Sequence, residues 1–181
     1  MAIWEVVNQC RFADFSYKNI NPKAQGGTDI TFSSIHSFLS HVAMVSKILK
    51  SNNLPREDKF IRSIKRLLRK VNLLPPVISI EKELGISRRS VVHQRKYRNA
   101  LEHYDEELKL WIETHGINAN IGTNNIGPKH QVQVPNMVWV THYDPSTYKF
   151  TFVNEEVDLP AFHQEVLRIN QIAQAWLSAH R

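Results

Sequence analysis

The sequence predicts a mainly α-helical protein, a bundle of four to five helices with a small β-hairpin inserted before the C-terminal helix. Two observations carry this reading. Apolar residues recur at spacings of three and four in several segments separated by Pro, Gly and Asn. One stretch, residues 137–154, alternates aromatic and β-branched residues as strands do. With 181 residues, 42% of them hydrophobic, the chain can bury a core, and 1–181 reads as a single domain with a loop and hairpin insertion at about 117–154.

Residues 3–20 place Trp4, Val7, Cys10 or Arg11, and Phe15 at helical spacing, and NPKAQGG breaks the pattern. From Ser33, a good cap, Ile35, Phe38, Leu39, Val42, Val45, Ile48 and Leu49 form the clearest helical signal, ended by SNNLP. Residues 57–72 repeat it, with Phe60, Ile61, Ile64, Leu67, Leu68 and Val71 on one side and Arg62, Lys65, Arg66, Arg69 and Lys70 on the other. After LLPPVIS come a short helix, IEKEL, the breaker Gly85, and a helix from about Ser87 to Thr114 stopped by Gly116. INANIGTNNIGPKHQVQVP reads as a long surface loop. MVWVTHYD and YKFTFVN, parted by PST, read as the two arms of the hairpin. Pro160 opens a last helix carrying Phe162, Val166, Ile169, Ala173 and Trp176.

Charge narrows the function classes. The net charge is +6, and residues 56–98 hold 13 of the 23 Lys and Arg residues against four acids, Glu57, Asp58, Glu81 and Glu83. Such a basic block suits a polyanion, most often nucleic acid, or a solvated helix face. Arg62, Lys65, Arg66, Arg69, Arg88, Arg89 and Arg95 are its nucleic-acid-binding candidates. The single cysteine, Cys10, excludes an internal disulfide and a Cys-based zinc site. The scattered histidines point to no metal, and no cofactor motif appears: GTNNIG lacks the lysine and spacing of a phosphate loop. No apolar run is long enough to span a membrane, and the N-terminus lacks the apolar core of a signal peptide, so the expected compartment is the cytoplasm.

The most specific chemistry lies in RKYRNALEHYDEEL, residues 95–108. On a helix, Tyr97, Leu101, Tyr104, Leu108, Trp111 and Ile112 gather on one side as a core face. Arg95, Arg98, Asn99, Glu102, His103, Glu106 and Lys109 share the opposite arc, with Asn99 and His103 stacked four apart. Histidine titrates in the range useful for proton transfer, and arginine holds phosphate oxygens with two donors.

Arg98-Asn99-Ala100-Leu101-Glu102-His103 resembles the motif of the HEPN superfamily: Arg, a polar residue, then His after a short gap. The longer string R-N-x-x-E-H-x-D-E looks like a subgroup of uncharacterised bacterial HEPN-like proteins. The resemblance implies an HEPN-like helical bundle and a metal-independent RNA endonuclease of toxin–antitoxin or phage-defence type, or a non-catalytic RNA-binding relative. It also implies RNA as substrate, a homodimer, and an antitoxin protein as a further partner. His103 would move the proton, Arg98 would clamp the phosphate and Asn99 would orient either one, while Glu102 and Glu106 modulate the site. Arg98 and His103 lie about 140° apart on one helix, so two copies of the helix facing across a dimer would bring the groups together.

An alternative lies just upstream. ISIEKELGISRRSVVHQRK, within residues 78–96, has the form of a helix-turn-helix, with IEKEL as the first helix and RRSVVHQRK as a DNA-recognition helix. Val91 and Val92 favour it, because on one straight helix they would fall on the polar arc and need cover from elsewhere.

Overall fold

The computed structural model describes residues 2–23, 26–50, 79–94, 104–115, 120–132, 134–135, 137–153 and 155–180. The basic segment 57–72 therefore lies outside the described residues.

Three long helices build the frame. α1 spans Ala2–Lys18, α2 spans Gly27–Lys50 and α5 spans Leu159–Ala179. α1 buries Ile3, Val6, Val7, Cys10 and Ala13 against α2 and α5. Trp4 and Phe15, expected in the core, face outward, because the inward stripe of α1 runs through the smaller residues. α2 begins at Gly27, six residues before Ser33, and buries Ile35, Phe38, Leu39, Val42, Val45 and Leu49 as the spacing requires. α5 buries Phe162, Val166, Ile169 and Ala173. The Asp158 carboxylate caps its N-terminus by accepting from the Ala161 N–H at 2.9 Å, and Pro160 occupies the first turn, where its missing N–H costs nothing.

The fold class differs from the expected bundle: the chain is mixed α and β. Six short strands join the helices, β1 (Asn120–Gly122), β2 (Asn125–Ile126), β3 (Met137–Trp139), β4 (Thr141–Asp144), β5 (Lys149–Phe152) and β6 (Glu155–Asp158). β2, β4, β5 and β6 form one sheet in that order, and β1 pairs with β3 in another. The expected hairpin is present as β4–β5, with Tyr143 opposite Phe150. The bend at Val140 splits its first arm, so that β3 runs parallel to β1 instead. The stretch assigned to a loop thus supplies β1 and β2, whose partners are strands distant in sequence, a pairing that local composition does not announce. Tyr143, Phe150, Phe152 and Val157 join the helical core, and Phe150 meets Phe32 of α2 at 6.2 Å between ring centroids. The sheet is therefore a wall of the core, not an appendage.

The third departure concerns residues 80–115. α3 is a single turn, Ile80–Glu83. Gly85 follows at φ 64°, with Ile86 N–H bonded to the Glu81 carbonyl and Gly85 N–H to the Lys82 carbonyl, the paired bonds that close a helix through a left-handed glycine. Residues 87–90 are then turn and extended backbone, and Val91–His93 is a 3₁₀ turn. A helix from Ser87 does not form; α4 spans Tyr104–His115, and residues 95–103 lie outside the described residues. Ile112, placed on the core face by periodicity, is 40% exposed on α4, and Leu110 is 61% exposed.

Candidate functional site

The 79–94 segment brings polar groups from three distant parts of the chain together. The Gly85 turn folds it back on itself, so the Arg88 Nε donates to Glu81 Oε1 at 3.2 Å. The 3₁₀ turn then inserts Val92 and His93 between α2 and α5, burying both. His93 Nδ1 lies 3.0 Å from Ser46 Oγ of α2, and His93 Nε2 lies 3.4 Å from Glu81 Oε2. With the proton on Nε2, the Ser46 hydroxyl donates to Nδ1, while the Nε2–Oε2 approach is a contact and not a hydrogen bond, so both atoms are buried without a hydrogen-bond partner among the described residues. Burial, then Lys50, lowers the His93 pKa; Glu81 and Glu165 oppose this, and the net shift is downward. The imidazole is thus held neutral beside a carboxylate that Arg88 already partners.

Next to it, the Ser90 hydroxyl donates to Glu165 Oε1 of α5. Glu165 also receives two hydrogen bonds of 2.7 Å from the Arg168 guanidinium, one on each carboxylate oxygen. The Arg168 bond is the main cause that holds the Glu165 carboxyl below its ordinary pKa. Beside this pair opens a pocket of about 480 Å³ between the Ser87–Val91 stretch and the first half of α5.

The anticipated site residues divide sharply. Arg98, Asn99, Glu102 and His103 lie outside the described residues, as do Arg62, Lys65, Arg66, Arg69 and Arg95. Glu106 is exposed on α4. Arg88 is tied to Glu81, while the exposed Arg89 lines the pocket. The recognition helix expected over RRSVVHQRK is not formed at residues 88–94, so α3 and this segment are not a pair of helices. Val92 needs no second chain, because it is buried against the helical core, whereas Val91 is only partly buried and lines the pocket. Sequence reasoning missed Ser46, Glu165 and Arg168, and set His93 aside as one of many scattered histidines. No local signal marks them, since the cluster draws on positions 46, 81, 90, 93, 165 and 168. Cys10 offers no alternative nucleophile, because burial pushes its thiol up to about 12.

Comparison with protein-family models, with curated proteins and with solved structures finds no match to this chain.

Proposed function

We propose that the protein is a metal-independent ribonuclease of the HEPN type that acts as a homodimer on single-stranded RNA. The observation that carries this reading is the string Arg98-Asn99-Ala100-Leu101-Glu102-His103 at the end of the basic block. Supporting it, α4 begins at Tyr104, so the residue after His103 already lies on a helix. His103 takes the 2′-OH proton as the 2′-oxygen attacks phosphorus, the P–O5′ bond breaks, and the resulting imidazolium or water returns a proton to the leaving 5′-oxygen, which leaves a 2′,3′-cyclic phosphate and a 5′-hydroxyl. Arg98 stabilises the charge that develops on the phosphoryl oxygens, and Asn99 orients the imidazole or the phosphate. The two Arg98–His103 faces meet across the dimer. An antitoxin partner is the means by which such an activity would be held in check.

The test is cleavage of single-stranded RNA in excess EDTA. Wild-type protein should yield 2′,3′-cyclic ends and leave the same sequence in 2′-deoxyribose intact. His103→Ala and Arg98→Ala should each lose on the order of a hundredfold or more in rate while remaining folded. Replacing Glu102 or Glu106 should do less, or raise RNA affinity by removing negative charge. Binding without cleavage would assign the chain to the non-catalytic relatives. Activity that needs Mg²⁺, or that survives both substitutions, would sink the assignment.

A further inference from the structure

The pocket beside Glu165 has no part in that chemistry, yet its lining is chemically organised. Two guanidinium groups face it. Arg168 spends its Nε–H and one Nη2–H on Glu165, which leaves three of its five N–H donors free and its plane fixed. Arg89 has only a backbone hydrogen bond, from its N–H to Ser87 Oγ, and its side chain has no ion pair among the described residues. The one acid among the described lining residues is already neutralised: the Glu165 oxygens are taken by Arg168 and Ser90. The described lining residues therefore carry a net charge of +1, from Arg89 and Arg168 against Glu165. Val91 and Ala161 add an apolar surface, and Gln164 adds both a donor and an acceptor. At about 480 Å³ the hollow is a shallow, solvent-open one, with more room than a lone phosphate fills.

We propose that this pocket binds one nucleotide unit, with the phosphate between Arg89 and Arg168 and the base against Val91 and Ala161, its edge met by Gln164. The inference deepens the ribonuclease reading and rests on it for the choice of RNA as the polymer. Glu165 is a positioning residue that fixes the Arg168 fork. The ligand chemistry is the same whether the unit belongs to a strand or is a free mononucleotide, and the test separates the two.

The test is anisotropy binding of the full-length protein to a labelled 2′-O-methyl RNA 12-mer, which cannot be cleaved through its 2′-oxygen, with 5′-AMP and 5′-UMP as competitors. Arg89→Ala and Arg168→Ala should each weaken binding roughly tenfold or more. Each should also lower the slope of log affinity against log salt by about 0.7, one phosphate contact on a single strand. Lys18→Ala, outside the pocket lining and paired with Asp14 at 2.7 Å, should change affinity by less than about threefold. Glu165→Gln is the sharper variant: it removes a negative charge, yet by loosening Arg168 it should weaken binding. Displacement by either mononucleotide assigns the pocket to free nucleotide, and binding that only the strand competes for assigns it to the strand. Thermal melts confirm folding, and Arg168→Lys, which keeps the charge without the fork, should be intermediate if Arg168→Ala fails to fold.

Three results would overturn the proposal: no binding by the wild type, wild-type affinity and salt slope in Arg89→Ala and Arg168→Ala, or tighter binding by Glu165→Gln. The two readings fail separately. Cleavage that needs His103 but is indifferent to Arg89 and Arg168 ends the pocket and leaves the ribonuclease. Uncleaved strand held through Arg89 and Arg168 does the reverse.

Discussion

His142 shows how much one side chain can set the response to pH. It sits on β4 opposite Thr151 of β5 and Asn125 of β2 and is fully buried, with its ring 4.6 Å from that of Trp139. Among the described residues no hydrogen bond of ordinary geometry reaches either ring nitrogen or the Thr151 hydroxyl, and the nearby Gly127 backbone partly opposes the downward shift of the His142 pKa. Burial is the main cause that lowers its pKa, and the same holds for His36, His41 and His93. The unfolded chain takes up a proton near pH 6.5, while the folded chain resists until lower pH. Below about pH 6.5 the unfolded state thus binds more protons, and stability falls as pH falls. Melting temperature should drop between pH 7.5 and 5.5. His142→Leu should shrink that drop, because it removes one titrating group and two unsatisfied nitrogens together. An unchanged pH response in the variant would mean that His142 is solvated.

At the scale of elements, Gly85 decides where the buried cluster forms. Its left-handed φ ends α3 after one turn and returns the chain so that Arg88 reaches Glu81 and His93 reaches Ser46. A methyl group at this position would meet nothing within 4 Å, so the cost of Gly85→Ala is conformational, about 1–2 kcal/mol. Denaturant melts should show that loss, and Gly85→Asn, which tolerates the left-handed region, should recover part of it. The turn was legible from Leu-Gly-Ile alone. Its consequence was not, because the partners that reward it, Ser46 and α5, are 39 residues before and 74 or more after the glycine. The same limit applies to β1 and β2: three- and two-residue strands carry too few side chains to show a period, and each is defined by a partner elsewhere.

At the scale of the whole molecule, the assembly question turns on α4. Leu110 and Ile112 are exposed on the helix that follows His103, and the proposed chemistry needs two such helices face to face. In the proposed mechanism α4 would carry the contact between the two copies. Light scattering at micromolar concentration should give twice the chain mass. Leu110 and Ile112 lie on nearly opposite faces of α4, so Leu110→Lys and Ile112→Lys are each made singly; one of them should give the monomer and abolish cleavage, and a dimer that survives both places the interface elsewhere. Among the described residues, no helix is long and apolar enough to cross a membrane.

The sequence by itself determined the three long helices, the β4–β5 hairpin, the Gly85 stop and the Pro160 start. In each case the cause is local: a 3.6-residue or two-residue apolar period, or a backbone conformation that only certain residues adopt. It also set the basic block and the Arg98–His103 spacing, which are matters of composition and order. The tertiary structure alone decided that the class is mixed α and β, that residues 87–94 turn inward instead of starting a helix, and that α1 buries its small residues and exposes Trp4 and Phe15. It alone assembled the Glu81–His93–Ser46 cluster and the Arg89–Arg168 pocket. Those outcomes depend on which surfaces meet across dozens of residues, and the partner that offsets the burial of a polar group such as Ser46 or Glu165 arrives from elsewhere in the chain.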